Sequence, residues 1–202
     1  MMNSIEIFLL DSGLSWTMSK LLPYLLMVVI GLMLVIISRR FLVKKKILVS
    51  LLIKLGILIF PFVLYFAHSP IYKGDFSNNS VVIEKGEAEQ ELQGRKLVVL
   101  SIPNCPYCLS TIGNMVKLKE RIPNIEIEYI VCHSDSQTMK WYQDEAGGSL
   151  NVKMAESIKA MMNLASYSFP TFVLVEKNKM LRTWSNDKFG VSAMDEIESS
   201  FK

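Results

Sequence analysis

Cysteine is scarce in this chain of 202 residues: there are three, and none precedes position 105. That excludes a small scaffold stapled by several disulfides. Histidine occurs only at His68 and His133. A tetrahedral zinc site commonly takes two Cys pairs, or a Cys pair and a His pair; beside Cys105 and Cys108 only Cys132 and His133 remain in the C-terminal part, so no metal is expected. An excess of one charge is also lacking. The net charge is +3, yet residues 69–202 carry 15 Lys and Arg against 17 Asp and Glu. A nucleic-acid surface needs a basic excess, so that partner is not expected. No internal repeat or low-complexity tract is present, and no flavin, haem or quinone motif, so no cofactor is expected.

Acidic residues are absent from two apolar stretches, residues 21–37 and 47–67, and Lys54 is the one charge within them. Each is close to the roughly 20 residues that span a bilayer, and neither shows the polar stripe of an amphipathic core helix. They read as a two-helix transmembrane hairpin. Lys54 lies near the end of the second stretch that follows the basic loop and reads as snorkelling to the headgroups. The loop between the stretches, residues 38–46, holds Arg39, Arg40, Lys44, Lys45 and Lys46. Basic residues collect on the cytoplasmic side, so the loop is expected inside and both flanks outside. The apolar run ends in Arg39-Arg40 with no small-residue cleavage site, which argues against a removed signal peptide. The organisation expected is an extracytoplasmic segment at 1–20, a hairpin at 21–67, a turn-rich linker at 68–80, and a domain at 81–202.

That domain is organised around the stretch from Lys96 to Ile112, KLVVLSIPNCPYCLSTI. An apolar run leads through Pro103 and Asn104 to Cys105-Pro106-Tyr107-Cys108, followed by apolar residues at helical spacing. A strand therefore feeds a turn, and the turn opens a helix at the cysteines. In that setting Cys-x-x-Cys reads as a redox pair. The unpaired N–H groups of a helix start favour a thiolate, so Cys105 is expected to be the exposed nucleophile. Cys108, one turn deeper, is the resolving thiol, and Pro106 suits an early helix position. Cys132 ends an apolar strand and reads as a buried, inert thiol. Further expectations are a single helix over 105–121, a strand over 125–132, helices over 135–145 and 151–164, a hairpin over 171–184 turning at Lys177-Asn178-Lys179, and a closing helix over 191–201.

Downstream, Ser168-Phe169-Pro170-Thr171 precedes another apolar run. With this landmark beside the cysteine motif, residues 81–201 resemble the thioredoxin-like superfamily. The resemblance implies an α/β fold, a central mixed sheet flanked by helices. It also implies a cis peptide bond at Pro170. Pro170 and the backbone of Phe169 would hold the substrate chain, and Tyr107 would shape the groove. The long interval between Cys108 and Pro170, with a membrane tether, is similar to the TlpA-type proteins that face the periplasm, which usually act as thiol–disulfide reductases. Three positions depart from family patterns: Asn104 stands where thioredoxins have Trp, Val99 where they have a buried acid, and Thr111 where some TlpA-type reductases have Glu.

The function expected is a membrane-anchored extracytoplasmic thiol–disulfide oxidoreductase of the inner membrane, more reductase than oxidase. Its substrates would be protein disulfides or thiols. A separate membrane thiol donor or oxidant would reset the pair, since neither apolar stretch contains a cysteine. The alternative from another class is a non-enzymatic membrane-tethered assembly factor with incidental cysteines. Metal delivery through Cys105, Cys108 and His133 fits the spacing less well.

Overall fold

The computed structural model describes residues 3–42, 47–72, 74–77, 79–84, 86, 92–133, 136–176 and 180–201. Lys44, Lys45 and Lys46 of the basic loop, most of residues 86–93, Asp135 and Lys177-Asn178-Lys179, the expected turn of the hairpin, lie outside the described residues. The chain divides into two compact units, Met2–Tyr72 and Lys73–Lys202.

The first unit is helical. A short helix α1 (Ser4–Asp11) precedes two long ones, α2 (Trp16–Leu42) and α3 (Ile47–His68). Both long helices are apolar enough to cross a membrane, and only 11% and 6% of their apolar windows are buried, unlike core helices of a soluble protein. Each continues through one internal proline, Pro23 or Pro61. Gly31 of α2 lies so near Leu58 of α3 that a side chain would meet its backbone carbonyl. A small residue of this kind lets two apolar helices approach closely. α2 begins before the apolar run and so takes in Lys20. Its Nζ donates to the buried Glu6 carboxylate at 3.2 Å, and the Tyr65 hydroxyl donates to the same carboxylate at 2.9 Å. Asn3 caps α1 in a reciprocal box with Glu6 and donates to Tyr65 and Ser69. From sequence Glu6 reads as a flanking acid; the fold instead makes it the centre of this polar cluster.

The second unit is built on one mixed sheet. Its strands are β1 (Val81–Glu84), β2 (Lys96–Ser101), β3 (Ile127–Val131), β4 (Asn151–Met154), β5 (Thr171–Val175) and β6 (Met180–Ser185), in the order β1-β6-β5-β2-β3-β4. β2, β3 and β4 run parallel, and β5, β6 and β1 join antiparallel. The helices are α4 (Pro106–Ser110), α5 (Ile112–Arg121), α6 (Ser136–Ala146), α7 (Ile158–Leu164) and α8 (Val191–Phe201). Strands buried on both faces explain the continuous apolar runs of β2 and β5.

Alternation assigns the two faces. Val98, Leu100, Ile130, Val173 and Leu181 pack with Ala160 and Met161 of α7 and with Cys132, which is buried. The opposite face carries Val99, Tyr129, Phe172 and Trp184. There Phe189 stacks on Phe172, and Tyr142 of α6 meets Tyr129. Arg121 of α5 donates twice to the Glu198 carboxylate of α8, at 2.9 and 3.0 Å, closing the helices over that face.

Three expectations are corrected. Residues 151–164 are not one helix: the first four form β4, and α7 starts only at Ile158, capped by the Ser157 hydroxyl. The outer edge of β3 needs hydrogen-bond partners, and parallel pairing of Asn151–Met154 against Glu128–Val131 supplies them. The helix at the cysteines breaks at Thr111 into α4 and α5. Finally, part of the expected linker belongs to the domain. Gly74 and Asp75 are buried, and the Asp75 carbonyl accepts from the N–H of Ser192. Their backbone approaches Gly190 so closely that no side chain fits there.

Candidate functional site

β2 ends at Ser101, and the chain turns through Asn104, whose φ of +53° is left-handed. Asparagine tolerates that region better than most residues. Cys105 follows in an extended conformation as the cap of α4, with Pro106 at the first helical position. Cys105 and Cys108 are joined in a disulfide with Cα atoms 5.2 Å apart. Cys108 is fully buried, whereas Cys105 keeps 7% of its surface exposed. The Cys105 sulfur accepts a hydrogen bond from the backbone N–H of Cys108 at 3.1 Å.

The second landmark reaches the same end of the sheet through register. Thr171, the first residue of β5, is paired with Leu100 of β2. Pro170 therefore immediately precedes the strand flanking the one that feeds the cysteine turn. The Phe169–Pro170 bond is cis, as the resemblance implies. Pro170 is buried, Phe169 packs partly into the core, and Tyr107 is 64% exposed. Among the described residues no three His, Cys, Asp or Glu side chains gather as a metal site requires.

One polar thread was not foreseen from sequence. Val99, where a thioredoxin would carry an acid, is paired across the sheet with Tyr129. The Tyr129 hydroxyl lies 3.1 Å from Thr111 Oγ1, and Thr111 in turn donates to the carbonyl of Cys108 at 2.8 Å. The break between α4 and α5 is thus tied to β3 directly beneath the cysteines. Tyr142 donates to the carbonyl of Ile102, at the start of the same turn. No local signal marks these tyrosines: strand register brings Tyr129 under the site, and the packing of α6 brings Tyr142 there.

Burial raises the phenol pKa of Tyr129 well above its ordinary value, against a smaller opposing effect of the Thr111 bond. Burial likewise pushes Tyr142 up to about 12. The unfolded chain releases these protons near pH 10. Their contribution to stability is therefore complete below about pH 10 and is lost as pH rises through the folded values. The domain should hold its near-ultraviolet circular dichroism to about pH 10 and lose it cooperatively above. Phenolate absorbance from the buried tyrosines should appear only with that loss. Free titration of all tyrosines near pH 10 with the fold intact would contradict the burial argument.

No family model matches the chain, and no curated protein matches it. Solved structures do resemble it. A secreted disulfide oxidoreductase of Mycobacterium tuberculosis, homologous to E. coli DsbE, aligns over 55% of this chain and 85% of its own at 13% identity and a TM-score of 0.45. M. tuberculosis DsbF aligns over 65% and 98% at 11% identity and 0.47. The thioredoxin domain of a thiol-disulfide oxidoreductase from Bacteroides vulgatus aligns over 62% and 96% at 15% identity and 0.44. The sheet order, the cysteine turn after β2 and the cis-proline opening β5 are observed in this chain itself, and on them the unit Lys73–Lys202 has the thioredoxin-like fold.

Proposed function

We propose that this chain is a membrane-anchored thiol–disulfide oxidoreductase whose cysteine domain works outside the cytoplasm. The observation that carries the reading is Cys105 at the cap of α4 with Cys108 buried one turn behind it. In the reduced protein the Cys105 thiolate attacks a substrate disulfide, forming a mixed disulfide and releasing one substrate sulfur. The N–H of Cys108, already aimed at this sulfur, favours its anionic form. Cys108 then loses its proton and attacks the Cys105 sulfur. The internal disulfide forms, the second substrate sulfur leaves, and the two protons end on the substrate thiols. The substrate gains two electrons, and the protein gives them up. Phe169, Pro170 and the exposed ring of Tyr107 form the surface against which the substrate chain lies.

Reduction is the direction supported by the resemblance to TlpA-type proteins. Direction itself is a matter of potential relative to the compartment. Two long, largely unburied apolar helices support the anchor, and the basic residues between them support an inside loop. All three cysteines then lie on the far side of a membrane about 30 Å thick, so a separate membrane thiol donor must reset the pair.

Reduced, right-side-out membrane vesicles treated with a limiting membrane-impermeant maleimide provide the test. Cys105 should be labelled and Cys108 spared, by peptide mass analysis. Labelling only after the vesicles are opened would place the domain in the cytoplasm. Preferential labelling of Cys108 would overturn the assignment of the nucleophile.

A further inference from the structure

A cavity of about 480 Å³ opens on the sheet face covered by α7, at the end of the sheet where the cysteines lie. Its floor includes Thr171 of β5 and Thr183 of β6. Asn163 of α7 and Ser166 form the wall, and Ser168 continues it toward Phe169 and Pro170. Ser166 and Tyr167 are consecutive left-handed residues, with φ of +48° and +56°. Neither is glycine, so this is a strained conformation, of the kind that clusters at functional loops.

The lining chemistry narrows the occupant. Among the described residues its charged side chains are one of each sign, Glu84 and Lys188, a balance that does not favour phosphate or another anion. The remaining polar groups are neutral. Thr171 donates to the Ser168 carbonyl and Thr183 to the Val81 carbonyl, which leaves their oxygens as acceptors. Asn163, Ser166 and Ser168 are exposed and offer donors as well. A wall of mixed neutral donors and acceptors matches a polypeptide backbone, which presents both. The volume falls within the roughly 300–1,000 Å³ of ligand pockets. Ser168 and Thr171 also bracket the Phe169–Pro170 bond, so the cavity adjoins that bond.

We propose that this cavity is a subsite for the substrate polypeptide, holding an uncharged polar segment next to its reactive disulfide. The inference rests on the redox reading of Cys105 and adds a means of choosing proteins over small disulfides. Filling the cavity tests it. Asn163 is an exposed helical position, so Asn163→Trp adds bulk without entering the core; Asn163→Phe serves if the tryptophan variant does not fold. The full chain in detergent, matched in melting temperature to the parent, is assayed with insulin, with oxidised dithiothreitol and with glutathione disulfide. The expected result is a loss of about tenfold in kcat/KM for insulin, the scale of one lost contact of about 1.4 kcal/mol. The rate with oxidised dithiothreitol should stay within about twofold of the parent, a change of under half a kcal/mol. Unchanged insulin kinetics, or an equal fall with all three disulfides, overturns the proposal. A loss confined to glutathione disulfide overturns it too and assigns the cavity to a small anionic thiol. A parent that reacts with none of the three removes the redox reading itself, and the subsite with it.

Discussion

Cys108→Ser should turn the protein from a catalyst into a trap. The variant keeps Cys105, the proposed nucleophile, at the cap of α4, so the first exchange with a substrate disulfide should proceed. The second cannot, because no thiol remains one turn behind. Cys132, outside the disulfide, is no substitute: it is buried on the α7 face of the sheet, whereas Thr111 ties the cysteine turn to Tyr129 on the other. Turnover with insulin should fall by roughly three orders of magnitude or more, the scale seen when one member of a group acting as a unit is removed. Covalent adducts sensitive to reductant should accumulate and should vanish in the Cys105→Ser/Cys108→Ser double variant. Cys105→Ser alone should be equally inactive and trap nothing. If Cys108→Ser turns over at a tenth of the parental rate or better, Cys108 is not the resolving thiol.

Glu128→Ala should be the most destabilising single change among the charged residues of the domain. Glu128 is buried on β3. It holds Lys96 of β2 at 2.5 Å, Lys153 of β4 at 3.1 Å and the Asn151 side chain at 3.2 Å. Removing it takes the carboxylate from Lys96, itself only 7% exposed. Breaking a buried pair in this way costs about 3–5 kcal/mol. Against a total stability of about 5–15 kcal/mol, that is a large share. The midpoint of urea unfolding should fall accordingly. Lys96→Met/Glu128→Leu should recover most of the loss, because neither member of the buried pair then carries a charge. The reduction potential of the cysteine pair should not move. Lys96 begins β2 and the cysteine turn follows its end, six residues of strand or about 20 Å away. A midpoint within error of the parent would show that the cluster is not the staple described, and a shifted potential would mean that it communicates with the site.

The same pair of strands shows where local reading reaches its limit. Lys96 and Glu128 are 32 positions apart and join only because Val98 is in register with Glu128. Tyr129 comes beneath Cys108 by the same register, through Val99. The sequence around 151–154 carries no strand signal strong enough to outweigh the helical residues after it. It becomes a strand because the edge of β3 offers hydrogen bonds and Glu128 offers a partner for Asn151 and Lys153. Glu6 and Lys20 look like ordinary flanking charges until Tyr65, far along the chain, closes the cluster from α3.

What the sequence determined by itself was whatever depends on neighbours a few residues apart or on bulk composition. The strand, turn and helix around Cys105-Pro106-Tyr107-Cys108 belong to the first kind, since a cap and a partner three residues on define that turn. The two long apolar helices belong to the second, since length and the near absence of charge suffice. The fold could be inferred because strand, cysteine helix and proline strand appear in a telling order. The tertiary structure decided the rest: the break at Thr111, the tyrosine thread, the buried carboxylate of Glu128 and the cavity beside Ser168. Each of these depends on backbone groups of distant strands finding one another, and on buried polar atoms then requiring partners that only the closed sheet and its covering helices supply.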